Sequence, residues 1–263
     1  MTEKIALCFI ISGAHILNKE DVWKEWIEHN KDIINVYFHY SDFSLIQSEW
    51  IRSKSLPPSN VVKTSYYQVV PAYLTLISFA ASHDPNNKWF CFLTDSCAPA
   101  ISPQQFKSNF FLYSEKSVIK WSTAWWNPQL HKRANLKYLP TEMHLLNDPW
   151  FVLTKHDALL CLQFATKHKQ MYMKICVGGI ANESIFAIIL KWYNRLQLVI
   201  NAETTITNWN KMTSSTSPYV FKRASLEDIQ YILKEKEKKQ SAMFVRKIDT
   251  TFPDDILRRI IYN

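Results

Sequence analysis

Glycine is scarce in this chain of 263 residues, which has three: Gly13, Gly178 and Gly179. Neither G-x-G-x-x-G nor a P-loop can be written with them. Any phosphate would therefore have to be held by Lys, Arg, hydroxyls or helix ends. Cysteine is sparse and odd in number: Cys8, Cys91, Cys97, Cys161 and Cys176, without a C-x-x-C. That excludes a disulfide framework and a zinc ribbon and points to a reducing compartment. No D-x-D occurs, since Asp249 and the pair Asp254-Asp255 have the wrong spacing, so no metal clamp on a nucleotide diphosphate is expected. The eight histidines include no H-E-x-x-H, and G-x-S-x-G is absent, which removes the common zinc-hydrolase and serine-hydrolase signatures. The apolar run that ends at Gly13 is too short to span a bilayer and lacks a signal-peptide layout. The expectation is a soluble, unsecreted, cytoplasmic protein without stable membrane insertion.

What is present is globular in composition, with 47% hydrophobic and 21% charged residues. Lys and Arg outnumber Asp and Glu by 31 to 23, a net +8 that suits an anionic partner. Nucleic acid, an anionic membrane and a phosphorylated small molecule all fit that charge, and the basic residues are scattered rather than striped, which argues against nucleic acid.

Lys4–Ser12 is a continuous apolar run, the pattern of a strand buried on both faces in a parallel sheet. A helix over Lys19–His29, a strand over Ile33–Tyr40, a short strand over Val61–Lys63, a helix over Val69–Ser82 and a strand over Lys88–Thr94 follow. This alternation predicts an α/β layered fold. Further on, the pattern predicts strands at Trp150–Thr154, Leu198–Asn201 and Phe244–Lys247. Helices are predicted at Lys155–His168, Asn182–Arg195, Ser225–Lys239 and Asp254–Tyr262. No repeat or low-complexity linker divides the chain, so one domain over residues 1–263 is expected.

Several residues invite a chemical reading beside an ordinary one. Glu183 sits where a helix is expected to start, after a glycine pair; it either compensates the helix dipole or works as a base. Arg246 and Lys247 are adjacent on an expected strand, so alternation would send one to a site and the other to solvent. Lys222-Arg223 and Lys132-Arg133 are further basic pairs, the latter set among Trp125, Trp126 and Tyr138. Such clusters are either stacking surfaces or solvated faces. His15 and His39 flank expected strand ends, where α/β sheets bind ligands.

Taken together, several segments resemble one family. Val36-Tyr-Phe-His39 is similar to I-Y-V-H, and Trp89-Phe-Cys-Phe-Leu-Thr-Asp-Ser-Cys-Ala-Pro99 to F-x-L-L-S-E-S-C-I-P-L. Asp148-Pro-Trp-Phe-Val-Leu-Thr-Lys-His-Asp-Ala158 is similar to G-S-Q-W-F-V-L-T-R-x-x-A, and Asn182-Glu183-Ser-Ile-Phe186 to P-D-E-x-F. Thr64-Ser65-Tyr66 followed by Val69-Val70-Pro71-Ala72 is similar to S-W-G-x-x-S-x-V-x-A, Thr207-Asn-Trp209 up to Ser217-Pro218 to V-D-W … H-P, and Phe244-Val-Arg-Lys-Ile248 to F-A-R-K-F. In chain order they resemble the core-2/I-branching glycosyltransferases, which include β-1,6-N-acetylglucosaminyltransferases and protein xylosyltransferases. A viral or bacterial member is suggested, acting in the host cytoplasm if viral.

The resemblance implies an α/β fold: a single GT-A-like domain whose central sheet is mixed but mostly parallel and flanked by helices. It implies an inverting transferase that moves a sugar from a nucleotide-sugar donor, UDP-linked, to a hydroxyl of a glycan or glycoconjugate. No metal or other cofactor is expected. The family's base falls on Glu183. Lys247, Arg246, Lys222, Arg223, Ser12, His15 and His39 are assigned to the donor, and Asp95, Trp125, Trp126, Trp150 and Arg133 to the acceptor. The chain departs from the family pattern at Asn147-Asp148, Asn182 and Ser217. The alternative is a degenerate transferase that binds a glycan or nucleotide without turnover. Which sugar moves, and whether chains pair, is not readable.

Overall fold

A computed structural model describes residues 2–11, 13–127, 129, 133–214 and 217–263. The chain opens with β1 (Lys4–Ile10), α1 (Glu20–Glu28), β2 (Ile34–His39), α2 (Glu49–Lys54), α3 (Val70–His83) and β3 (Asn87–Thr94). β4 (Ala98–Pro99), α4 (Pro103–Tyr113), β5 (Trp121–Thr123), β6 (Leu145–Asn147) and β7 (Val152–Thr154) follow. α5 (Lys155–Lys167), α6 (Lys169–Cys176), α7 (Ile185–Trp192), β8 (Thr205–Thr207), α8 (Leu226–Lys238), β9 (Phe244–Arg246) and α9 (Asp254–Tyr262) complete it.

The central sheet runs β2-β1-β3-β7. β1 pairs in parallel with β2 and β3, while β7 is antiparallel to β3. Alternation along β1 divides the core: Ile5, Leu7 and Phe9 pack on one face, Ala6 and Cys8 on the other. The first face meets Trp23 and Trp26 of α1, Phe106 and Phe110 of α4, Ile232 of α8 and Leu257 of α9. The second meets Tyr73, Leu76 and Ile77 of α3, Phe164 of α5 and Phe186 of α7. Burial on both sides is why β1 reads as an unbroken apolar run. A smaller sheet, β4-β9-β8, carries the Arg246 strand beside the end of β3, and β5 pairs with β6. The architecture is a mixed α/β fold with a mostly parallel central sheet between helices. Among the described residues no helix is long and apolar enough to cross a membrane.

Three expected elements differ. Val61–Lys63 forms no strand. Leu198–Asn201 is not a named strand either: Leu196–Leu198 is a 3-10 turn, and Ile200 makes an isolated bridge to Val118. The helix expected from Asn182 breaks at its start. Ala181–Glu183 is a separate 3-10 turn entered through Ile180 at φ 56°, and Ser184 at φ −149°, ψ −43° interrupts it before α7. The elements the sequence pattern missed are α2, α4, α6 and the short strands β4, β5, β6 and β8.

Candidate active site

The carboxyl ends of β1 and β3 open into a cleft of about 890 Å³, the place where parallel sheets bind ligands. Ile10, Ile11 and Gly13 line it from β1, and Thr94, Asp95 and Ser96 from β3. The remaining walls come from the Ala181–Glu183 turn, the Asn147–Trp150 segment and the end of β9.

Glu183 faces this cleft with its side chain 32% exposed, and Arg133 donates from Nη1 to its Oε2 at 2.7 Å. The guanidinium of Arg133 also lies 5.3 Å and 5.1 Å from the ring centroids of Trp125 and Trp126. These aromatics therefore hold the arginine that holds the carboxylate. Gly178 serves this arrangement by letting two backbone segments approach closely. A Cβ on Gly178 would stand 2.0 Å from the carbonyl oxygen of Arg133 and 2.7 Å from the amide nitrogen of Asn135. The space beside Gly178 is filled by that backbone rather than by a ligand. Gly178→Ala is expected to displace the 133–135 segment and lower stability by about 1–3 kcal/mol, measured by denaturant unfolding. The turn itself is strained, because Ile180 is β-branched and left-handed. Its N–H is anchored on the carbonyl of Tyr67 at 2.8 Å.

Across the cleft, Arg246 places its guanidinium 4.2 Å from the centroid of Trp150. Its Nη1 donates to Ser96 Oγ at 3.0 Å and to Thr94 Oγ1. Lys247 donates from Nζ to Ser217 Oγ at 2.7 Å. Burial, with the neighbouring Arg246 charge, pushes the Lys247 ammonium below the usual lysine range; Asp95 works against the shift. Both cations line the same cleft, contrary to the expectation that alternation would separate them. The reason is that β9 ends at Arg246, so Lys247 is not bound by strand geometry.

The other expected residues divide. Asp95, Trp125, Trp126, Trp150 and Arg133 all line the cleft. Trp126 and Trp150 are buried, whereas Trp125 is 69% exposed. Lys222 and Arg223 are exposed on the approach to α8 and do not line the cleft. Ser12 lies outside the described residues.

His15 is buried and occupied structurally: Nδ1 is bonded to the Gly13 carbonyl at 2.7 Å, and Nε2 accepts from the Asp42 N–H at 3.0 Å. It ties the loop after β1 to the end of β2 and does not line the cleft. His39 is buried at the end of β2, its Nε2 has no hydrogen-bond partner among the described residues, and burial pushes its pKa down to about 4. It also does not line the cleft.

Sequence reasoning missed Tyr66, Tyr67 and Trp209, which are exposed aromatics on the cleft. All three lie within or beside the segments that resemble the family, which was the available signal. Asp148 was also missed. Burial, then Glu203 and Glu183, push its carboxyl up to about 7, against the pull of Lys120 and Lys239. Among the described residues no three His, Cys, Asp or Glu side chains cluster in a way that would hold a metal ion.

The model of the Core-2/I-Branching enzyme family matches residues 6–233. No curated protein matches the sequence.

Proposed function

Because the chain belongs to the core-2/I-branching enzyme family over residues 6–233, we propose that it is an inverting, metal-independent glycosyltransferase. Its donor would be a nucleotide sugar, UDP-linked, and its acceptor a hydroxyl of a glycan or glycoconjugate. The observation that carries this reading is that Glu183, Arg246 and Lys247 all line one cleft. Transfer with inversion needs a base on one side of the anomeric carbon and charge stabilisation on the other.

In this reading Glu183 takes the proton from the acceptor hydroxyl as its oxygen attacks the anomeric carbon. The bond from that carbon to the diphosphate breaks, and the nucleoside diphosphate leaves with the electron pair. Arg246 and Lys247 stabilise the charge that develops on it. Arg133 keeps the Glu183 carboxylate aimed and offers its remaining donors to the acceptor. Tyr66, Tyr67, Trp125 and Trp209 present exposed rings at the cleft, a surface suited to the apolar faces of sugars.

The test is a thermal-shift screen of nucleotide sugars with EDTA present, followed by transfer assays with the donor found. A ligand at a hundred times its Kd stabilises the native state by about 2.7 kcal/mol. A stabilising donor that is turned over in EDTA is the expected result. Failure to bind any nucleotide sugar would remove the proposal, and binding without turnover would favour a binding module.

A further inference from the structure

Asn147–Trp150 lies between the two charged ends of the cleft. At one end the buried Asn147 side chain donates from Nδ2 to the carbonyl of Asn182 at 2.9 Å. Its Oδ1 accepts from the Ala187 N–H at 3.1 Å, so the segment is tied to both sides of the Glu183 turn. At the other end the Trp150 ring lies against the Arg246 guanidinium. Between them, the Tyr73 hydroxyl donates to the Pro149 carbonyl at 2.9 Å, within electrostatic range of both Arg246 and Glu183.

Asp148 stands in this stretch and lines the cleft. Its backbone is held: its N–H donates to the Lys120 carbonyl at 2.9 Å, and its carbonyl accepts from Asn147 Nδ2 at 2.9 Å. Its carboxyl, by contrast, makes no hydrogen bond or close ion pair with any described residue. A partly buried carboxyl without donors is costly, and the missing partners are supplied when a ligand brings hydroxyls to it.

This step rests on the function proposed above. With the base at Glu183 and the diphosphate at Arg246 and Lys247, the anomeric carbon would lie between them and its ring would face Asn147–Trp150, which lines the same cleft. We infer that the Asp148 carboxylate accepts hydrogen bonds from hydroxyls of the transferred sugar and thereby selects which sugar the cleft holds.

The charged groups that act on Asp148 are Glu203, Glu183, Lys120 and Lys239; Lys120, Glu203 and Lys239 line a neighbouring cavity, and Glu183 lines the cleft itself. Burial and the two glutamates oppose its ionisation, and the lysines favour it. Hydroxyl donors favour the ionised form, so sugar binding releases a proton and strengthens as pH rises through about 7.

The test titrates the wild type, Asp148→Asn and Asp148→Ala with UDP, UDP-N-acetylglucosamine, UDP-glucose and UDP-xylose at pH 6 and pH 8. UDP is expected to bind all three proteins alike. The UDP-sugar held by the wild type is expected to bind both variants about tenfold to a hundredfold more weakly at pH 8. The gap narrows at pH 6. Equal affinity for the UDP-sugar at pH 8 would overturn the inference. So would an equal loss for UDP and UDP-sugar, which would mark a structural effect. If the wild type binds none of these sugars, the inference falls together with the proposed function. If it binds one and Glu183→Gln still transfers it, the base assignment fails while the Asp148 comparison stands.

Discussion

Replacing Glu183 with Gln is expected to slow sugar transfer by about 10²–10⁴-fold while leaving nucleotide-sugar binding close to wild type. The size follows from what a positioned general base contributes. Gln keeps the shape and the oxygen that faces Arg133, but its amide cannot take a proton from an alcohol. The fold is expected to tolerate the change, because the Arg133–Glu183 pair is partly exposed, at 23% and 32%. Pairs in such positions contribute about 0–1 kcal/mol. The measurement is single-turnover release of the nucleoside diphosphate with acceptor present, beside a binding titration. Transfer within a few-fold of wild type would place the base on another residue.

Replacing Lys247 with Ala is expected to cost about 10²–10³-fold in kcat, the range for removing one group that stabilises developing negative charge. Lys247 also gives a signature in pH. Its ammonium is pushed below the ordinary lysine range by burial and by Arg246. The charge is therefore lost as pH rises through that lowered value, and activity falls on the alkaline side sooner than an exposed lysine would dictate. Lys247→Arg keeps a charge at every accessible pH. It is expected to move the alkaline limb upward even where its lower activity reflects the loss of the bond to Ser217. An alkaline limb unchanged in Lys247→Arg would show that another group titrates there.

The central sheet was readable because it obeys a local rule. A strand buried on both faces must be apolar along its buried length, and β1 over Ile5–Ile10 and β3 over Trp89–Leu93 both are. Shorter strands carry no such pattern: β8 has three residues, and its pairing with β9 comes from a distant part of the chain. Val61–Lys63 shows the opposite failure, since β-branched residues favour an extended chain without supplying a partner for the ladder.

The site divided in the same way. Glu183, Arg246, Lys247 and Trp150 lie in segments that resemble a family, whereas Trp125 and Trp126 stood out as aromatics set around Arg133. His15 was misjudged because its φ of 54° and its bonds to Gly13 and Asp42 arise only in the folded loop. Asp148 was overlooked because a carboxyl acquires its character from burial and from Glu203 and Glu183, none of which adjacency in sequence reveals.

The triple attachment of the Asn147 amide has a consequence for how sugar preference can change. Asn147 joins the Asn182 carbonyl, the Ala187 amide and the Asp148 carbonyl. The Glu183 turn and the Asn147–Trp150 segment are therefore tied into one rigid baseplate, and under the proposed function neither could shift to admit a bulkier ring without the other. Adaptation to larger substrates should accordingly accumulate in the outer aromatic loops around Tyr66 and Trp125, leaving position 147 the least replaceable polar residue of the cleft.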